Sequence, residues 1–145
     1  MTEIEATVAV NRLVPYVHVA DVDASLAFYA LLGFTVVSAM KDDAGKTFWV
    51  MARSDAAEIM LAQASGPIEA EQQAVLFYMY SQDLQSLRQS LLAGGIRDAG
   101  PYSGAARAGD TTRMVHTIAR PSHMPGGEMR LIDPDGYVVL VGQLD

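Results

Sequence analysis

The chain has 145 residues, no cysteine and a formal net charge of −7 at pH 7. Without cysteine it has no disulfides, thiol nucleophiles or zinc–thiolate sites, and its acidity argues against nucleic acid, because phosphate contacts need clustered Lys and Arg. No apolar run reaches the ~18 residues of a membrane span. Residues 1–10 carry acidic side chains where a signal peptide would carry basic ones. We predict one cytoplasmic domain over 1–145.

The first half of the chain has the pattern of a β-α-β-β-β module over residues 12–63. A β-rich run from Leu13 to Val19 is followed by Asp21, a typical helix cap, and Gly33 ends the helical pattern as a C-cap glycine does. Three strands separated by turn-forming segments follow, at residues 35–40, 46–52 and 57–63. The next residues, 64–73, contain Gly and Pro and are predicted to link this module to a second one.

The same order of elements returns over residues 74–145. A strand-like run precedes Asp83, a second helix cap, and a pair of glycines stops the second helix. Aligning the caps Asp21 and Asp83 gives an offset of 83 − 21 = 62 residues. Under this offset the first strands align as a set: Tyr16 with Tyr78, His18 with Tyr80, and Val14 with Leu76.

The second module is predicted to be the longer one. Its residues 96–127 are rich in Gly, Ala, Pro and Ser and are predicted to form a long loop. Two strands, 128–132 and 136–143, are predicted to close the module as a hairpin around the turn sequence Asp-Pro-Asp-Gly. The predicted fold class is therefore α+β, with two duplicated modules that are each a curved sheet backed by a helix.

Four motifs occur in a fixed order along the chain: Pro15–Asp21, Ser25–Tyr29, Leu32–Phe34, and the hairpin Glu128–Gln143 with its Asp-Pro-Asp-Gly-Tyr turn. Together with the duplication, they resemble the vicinal-oxygen-chelate superfamily of glyoxalases, bleomycin-resistance proteins and extradiol dioxygenases. The resemblance covers about residues 13–143. It implies two β-α-β-β-β modules that form a curved mixed sheet around a U-shaped cleft, and a chain that pairs as a homodimer.

The resemblance also implies where a metal would bind. In the superfamily's metalloenzymes, His, Gln or Glu from the first and last strands of each module hold one divalent ion. The matching positions here are Val14, Met60, Leu76 and Leu140. None offers a hard ligand, since a Met sulfur suits copper(I), and Glu58, two residues from Met60, does not complete a set. We therefore predict no metal and no other cofactor, as in metal-free bleomycin-resistance-like members.

Aromatic and apolar side chains are predicted to line the cleft, because strand residues alternate between two faces. The candidate ligand-binding residues are Tyr16, His18, Trp49, Met60, Leu76, Tyr78, Tyr80, Arg130 and Leu140. This set suits a flat aromatic or amphipathic ligand. Two roles stay open: Trp49 either stacks on the ligand or packs in the sheet, and Glu128 with Arg130 form either a cleft pair or a solvent-facing pair.

Three functions remain as hypotheses. The first is binding of a small amphipathic or aromatic ligand, with no nucleic acid or membrane as partner. The second is a metal-independent lyase or isomerase in which His18 is the catalytic acid or base and a tyrosine assists. The third is a non-catalytic partner subunit. A metal site made of His18, His116 and His123 is a further alternative, although no local spacing favours it.

Overall fold

The computed structural model describes residues 8–104 and 112–144. The first seven residues of the acidic N-terminal segment lie outside the described residues, as do residues 105–111 of the predicted long loop and residue 145. No helix in the described part of the chain is long and apolar enough to cross a membrane.

The first module consists of β1 (Tyr16–Val19), α1 (Val22–Ala30), β2 (Thr35–Lys41), β3 (Thr47–Ser54) and β4 (Ala57–Gln63). Its sheet has the order β1-β4-β3-β2, with β1 parallel to β4 and the other pairs antiparallel. Asp21 caps α1, since its side chain accepts a hydrogen bond from the N–H of Ala24 at 3.2 Å. The chain leaves the helix through Gly33, whose φ of 100° is one that other residues rarely adopt.

The second module consists of β5 (Leu76–Ser81), α2 (Leu84–Ala93), β6 (Arg97–Gly100), β7 (Met114–His116), β8 (Glu128–Ile132) and β9 (Val138–Gln143). The sheet order is β5-β9-β8-β7-β6. The predicted α+β class with two duplicated modules is confirmed. The second sheet has five strands instead of the four of a β-α-β-β-β module, and two of them, β6 and β7, form a parallel pair inside the segment predicted as a loop. These strands have only 4 and 3 residues, too few to show an alternating pattern.

The parallel strand pair of each sheet has the same register. Tyr16 is the Cα partner of Met60 across the parallel pair β1–β4, and Tyr78 is the partner of Leu140 across β5–β9. Tyr16 and Tyr78 are also the residues that the sequence offset of 62 aligns. The duplication is therefore structural, and equivalent positions on the two sheets can be compared directly.

The modules meet through the sides of their sheets that carry the helices. α1 packs on β3 and β4, α2 packs on β9, and the buried side chains of both modules belong to one cluster. Two carboxylates of the closing turn join the modules. The Tyr29 hydroxyl donates to Asp133 at 2.7 Å, and the Ala20 N–H donates to Asp135 at 2.9 Å. As a consequence, each sheet turns its other face, here called the first or the second open face, away from the common core.

Candidate functional site

The first open face carries an aromatic cavity. On β1, Val17 and Val19 are buried in the core, whereas Tyr16 and His18, which alternate with them, are exposed. The cavity has a volume of about 310 Å³. Its lining residues are Tyr16, His18, Met40, Phe48, Trp49, Ala62 and Gln63. Three of the predicted contact residues are thus brought together here, and Trp49 lies on the cavity side of its strand.

His18 has an aromatic neighbour. Its ring lies edge-on to the ring of Tyr16, with centroids 5.7 Å apart. In the described part of the chain, no hydrogen bond or ion pair orients the imidazole. A catalytic histidine is ordinarily oriented by a second polar group. An acid–base role for His18 therefore stays a prediction, with no geometric support beyond its place in the cavity.

The four positions implied for a metal lie where the repeat places them, and their side chains do not fit a hard cation. Met60 and Leu140 occupy equivalent places on the last strands, and Leu76 is exposed at the start of β5. Val14 precedes β1. Divalent cations of this kind need oxygen or imidazole ligands. Among residues 8–104 and 112–144, no group of three or more His, Asp or Glu side chains is placed to hold a metal ion.

Glu58, the nearest carboxylate to these positions on the first sheet, is already paired. Arg12 forms an ion pair with it, in which Arg12 Nε lies 2.9 Å from Oε1. Arg53 donates to Oε2 at 3.0 Å. Hydrogen bonds from these two guanidinium groups lower the pKa of Glu58. The carboxylate is therefore neutralised by arginines rather than presented to a metal.

A hydrogen-bonded cluster occupies the second open face. The Tyr78 hydroxyl donates to Glu128 Oε2 at 2.6 Å, and His123 Nε2 lies 2.9 Å from the same oxygen. Desolvation and the bond to Glu128 raise the pKa of Tyr78 to about 12, so the hydroxyl remains a donor at neutral pH. Met124 covers Gly142 beside this cluster, since a side chain at Gly142 would lie 2.8 Å from the Met124 methyl group.

Arg130 follows two residues after Glu128 on β8. Its guanidinium carbon lies 4.0 Å from the centroid of the Tyr102 ring. The same ring meets His116 edge-on, with centroids 5.3 Å apart. Sequence reasoning missed Tyr102, because it lies in the segment predicted as a loop and no periodic pattern surrounds it. Arg130 is thus part of a stacked aromatic cluster, next to Leu140, its Cα partner on β9.

The three histidines do not form one site. His18 contacts Tyr16 on the first open face, whereas His116 contacts Tyr102 and His123 contacts Glu128 on the second. The hypothesis of a three-histidine metal centre therefore has no support in the described residues.

A larger cavity of about 510 Å³ lies between the modules, beside β5. Tyr78 and Tyr80 contribute to one wall, and the other wall comes from the end of α1 and the turn between β3 and β4. Tyr16 and His18 do not line it, since they border the smaller cavity on the first open face. The two halves of the predicted aromatic lining therefore border different cavities of one chain.

Comparison with known proteins places this architecture in a family. The model of the Glyoxalase/Bleomycin resistance protein/Dioxygenase superfamily matches residues 9–141. A bleomycin-binding protein complexed with bleomycin has a similar structure, with a TM-score of 0.68 and 18% identity over 94% of this chain and 100% of that chain. No match was found among curated proteins.

Two further solved structures have the same fold. A bleomycin resistance determinant encoded on the transposon Tn5 gives a TM-score of 0.68 and 19% identity, over 94% of this chain and 99% of that one. The bleomycin-binding protein from Streptomyces verticillus, complexed with copper(II)-bleomycin, gives 0.62 and 18%, over 94% and 100%. At such identities the likeness shows the fold.

Proposed function

The chain belongs to the glyoxalase/bleomycin resistance protein/dioxygenase superfamily, and we propose that it binds a small amphipathic or aromatic ligand without a divalent metal. The exposure of aromatic side chains on both open faces carries the proposal. Tyr16, Tyr78 and Tyr80 are 59%, 38% and 58% exposed. Rings on the open face of an edge strand that are left in water favour a partner that covers them, and a tyrosine offers both a ring face and a polar tip. The bleomycin complexes of two proteins with this fold support the idea.

The apolar side chains at Val14, Met60, Leu76 and Leu140 support a metal-independent mode of binding. A ligand on such a wall gains from burial of apolar surface and from ring stacking. A metal-bridged ligand would instead need oxygen or nitrogen donors at these places.

The proposal includes a homodimer whose clefts are completed between two copies. The first cavity, of about 310 Å³, is at the lower end of the ~300–1,000 Å³ typical of ligand pockets. β1 and β5 are edge strands of their sheets, and all residues of β2 are exposed. A second copy that laid its second open face against the first open face would bring Tyr78 and Tyr80 opposite Tyr16 and would enclose the ligand.

Thermal unfolding with and without ligand tests the binding function. Purified protein is melted alone, with bleomycin, with a panel of planar aromatic compounds, and with divalent metals. A ligand at about 100 times its dissociation constant stabilises the native state by about 2.7 kcal/mol, which raises the Tm of a domain of this size by several degrees. We expect a rise with bleomycin or an aromatic compound, and a smaller rise in Trp49→Ala and Tyr80→Ala.

The matched control is Gln89→Ala, a change at an exposed position of α2. It should melt and respond to ligand as the unmodified chain does. A rise in Tm with metal alone would contradict the proposal and would favour a metal-dependent function like that of the superfamily's metalloenzymes. Light scattering tests the dimer separately: we expect about twice the chain mass of 15.6 kDa, and a mass of one chain would contradict this part of the proposal.

A further inference from the structure

Strand β8 presents two opposite charges that are not paired with each other. Glu128 and Arg130 lie two residues apart, so their side chains leave the same face about 7 Å from one another. Both side chains are long enough to meet across that distance. Yet the ion pair of Glu128 is with His123, and within residues 8–104 and 112–144 no ion pair or hydrogen bond reaches the Arg130 guanidinium.

Separate neighbours hold each charge in place. Both contacts to Glu128, from Tyr78 and from His123, go to Oε2, and in the described part of the chain no hydrogen bond reaches Oε1. Burial opposes ionisation of Glu128, but these two contacts, together with the nearby positive charge of Arg130, outweigh it and lower its pKa. Glu128 is therefore an anion at neutral pH, and one of its oxygens is available to a donor from outside.

Arg130 is held through its flat face rather than through its N–H groups. The guanidinium lies 4.0 Å above the Tyr102 ring, and His116 supports that ring from the edge. Stacking of this kind fixes the plane of the group and leaves its in-plane donors free for a planar anion such as a carboxylate. His116 is itself anchored, because its Nδ1 lies 3.0 Å from the carbonyl oxygen of Gly100.

We infer that the second open face binds a zwitterionic head group of the α-amino-acid type, with its carboxylate on Arg130 and its ammonium on Glu128. The inference rests on the proposed small-molecule binding and specifies the class of ligand. A ligand with one charge gains from one of these residues and is repelled by the other, whereas a zwitterion gains from both. Leu140 and the ring of Tyr78 lie beside the two charges and receive the apolar part of the molecule.

Three indole compounds test this inference by calorimetry on the full chain at neutral pH. Tryptophan carries both charges, tryptamine lacks the carboxylate, and indole-3-propionate lacks the ammonium. Since each charge-assisted hydrogen bond contributes substantially to affinity, tryptophan should bind at least about tenfold more tightly than either of the others. Equal affinity for all three compounds would overturn the inference without any variant.

Two variants assign the charges. Arg130→Gln should weaken the binding of tryptophan by about tenfold and leave the affinity for tryptamine unchanged or higher. Glu128→Gln should likewise weaken the binding of tryptophan by about tenfold, and it should leave the affinity for indole-3-propionate unchanged or higher. Lys46→Gln removes one positive charge in the exposed turn before β3 and should change none of these affinities. Unchanged tryptophan binding in Arg130→Gln would overturn the assignment.

The outcome also separates this inference from the proposed function. If bleomycin or an aromatic compound raises the Tm while tryptophan binds no better than the two singly charged analogues, small-molecule binding stands and the zwitterion site does not. If no compound of either set binds, both are wrong.

Discussion

The first open face carries one carboxylate, Glu58, which two arginines neutralise, whereas the second carries Glu128, which Tyr78 and His123 hold. The parallel pairs β1–β4 and β5–β9 have the same register, so this difference is not required by the fold. Residues that face away from the core contribute little to packing and are free to differ between the duplicated modules. The structure therefore retains the repeat in its framework and loses it on the open faces.

The closing turns of the two modules also differ, because one is exposed and the other is buried. In the first module, Asp55 in the turn between β3 and β4 is exposed and has a φ of 52°. In the second, Asp133 and Asp135 in the turn between β8 and β9 are buried, and they bind Tyr29 and the backbone of the first module. Among the described residues, hydrogen bonds between the modules come from the second turn and not from the first, which makes the comparison testable by stability measurements.

Removal of Asp133 should have the largest effect. Its carboxylate accepts hydrogen bonds from the Tyr29 hydroxyl at 2.7 Å and from the N–H groups of Asp135 and Tyr137 at 2.8 and 2.9 Å. Asp133→Ala leaves two buried donors and one part-buried donor without this acceptor, so we expect the free energy of unfolding to fall by about 3 kcal/mol. Urea denaturation followed by circular dichroism at pH 7 measures this loss.

Asp55→Gly is the matched change in the first module. Glycine adopts a positive φ without strain and Asp55 has no buried partner to lose, so the free energy of unfolding should stay within about 1 kcal/mol of the original. Losses of equal size in the two variants would show that the closing turn of the second module has no special role in joining the modules.

Replacement of the glutamines that end the last strand of each module, Gln63 and Gln143, should give the next largest loss of stability. Gln143 Oε1 accepts from the N–H of Leu84 at 2.9 Å, and its Nε2 donates to the carbonyls of Gln82 and Leu144 at 2.7 and 2.8 Å. Gln63 donates to Ala20 at 2.6 Å, but its Oε1 is buried without a hydrogen-bond partner among the described residues. Each glutamine thus joins the end of its last strand to the start of the module's helix, with more bonds in the second module.

We expect Gln143→Ala to lower the free energy of unfolding by about 2 kcal/mol and Gln63→Ala by about 1 kcal/mol or less. The same denaturation experiment measures both. A larger loss of stability for Gln63→Ala than for Gln143→Ala would contradict this expectation. It would mean that the contact between the end of β4 and the start of α1 depends more on its glutamine than the hydrogen bonds indicate.

Much of the framework follows from local sequence. Asp21 and Asp83 cap the helices because their carboxylates satisfy free N–H groups at helix starts. The glycines after each helix supply φ values that other residues avoid. The strand β4 and the strand β8 were predicted with the bounds that the structure has. Each of these features depends on residues within a few positions of one another.

The site was less predictable, because it depends on contacts between distant segments. Alternation along β1 and β5 identified the exposed Tyr16, Tyr78 and Tyr80. It did not reveal that Tyr16 borders one cavity, whereas Tyr78 and Tyr80 border another. The contact of Arg130 with Tyr102 joins residues 28 positions apart through a loop with no periodic pattern, and nothing in the local sequence predicts it.

The last expected effect concerns the pH dependence of stability and again distinguishes the two closing turns. Burial raises the pKa of Asp133 from 3.8 to about 6, although its hydrogen bonds from Tyr29 and the backbone act in the opposite direction. The native state therefore binds a proton at a higher pH than the unfolded chain. The contribution of Asp133 is fully present below about pH 4 and is lost as the pH rises through about 6.

Comparison with Asp133→Asn isolates this contribution, because carboxylates with lowered pKa values, such as Glu58 and Asp98, oppose it in the whole protein. From pH 7 to pH 5, the free energy of unfolding of the unmodified chain should rise relative to that of Asp133→Asn by about 1 kcal/mol. Urea denaturation at both pH values measures the difference. A difference that is constant or falls would mean that Asp133 is ionised in the native turn throughout this range, and that its hydrogen bonds, rather than its burial, determine how the second turn differs from the first.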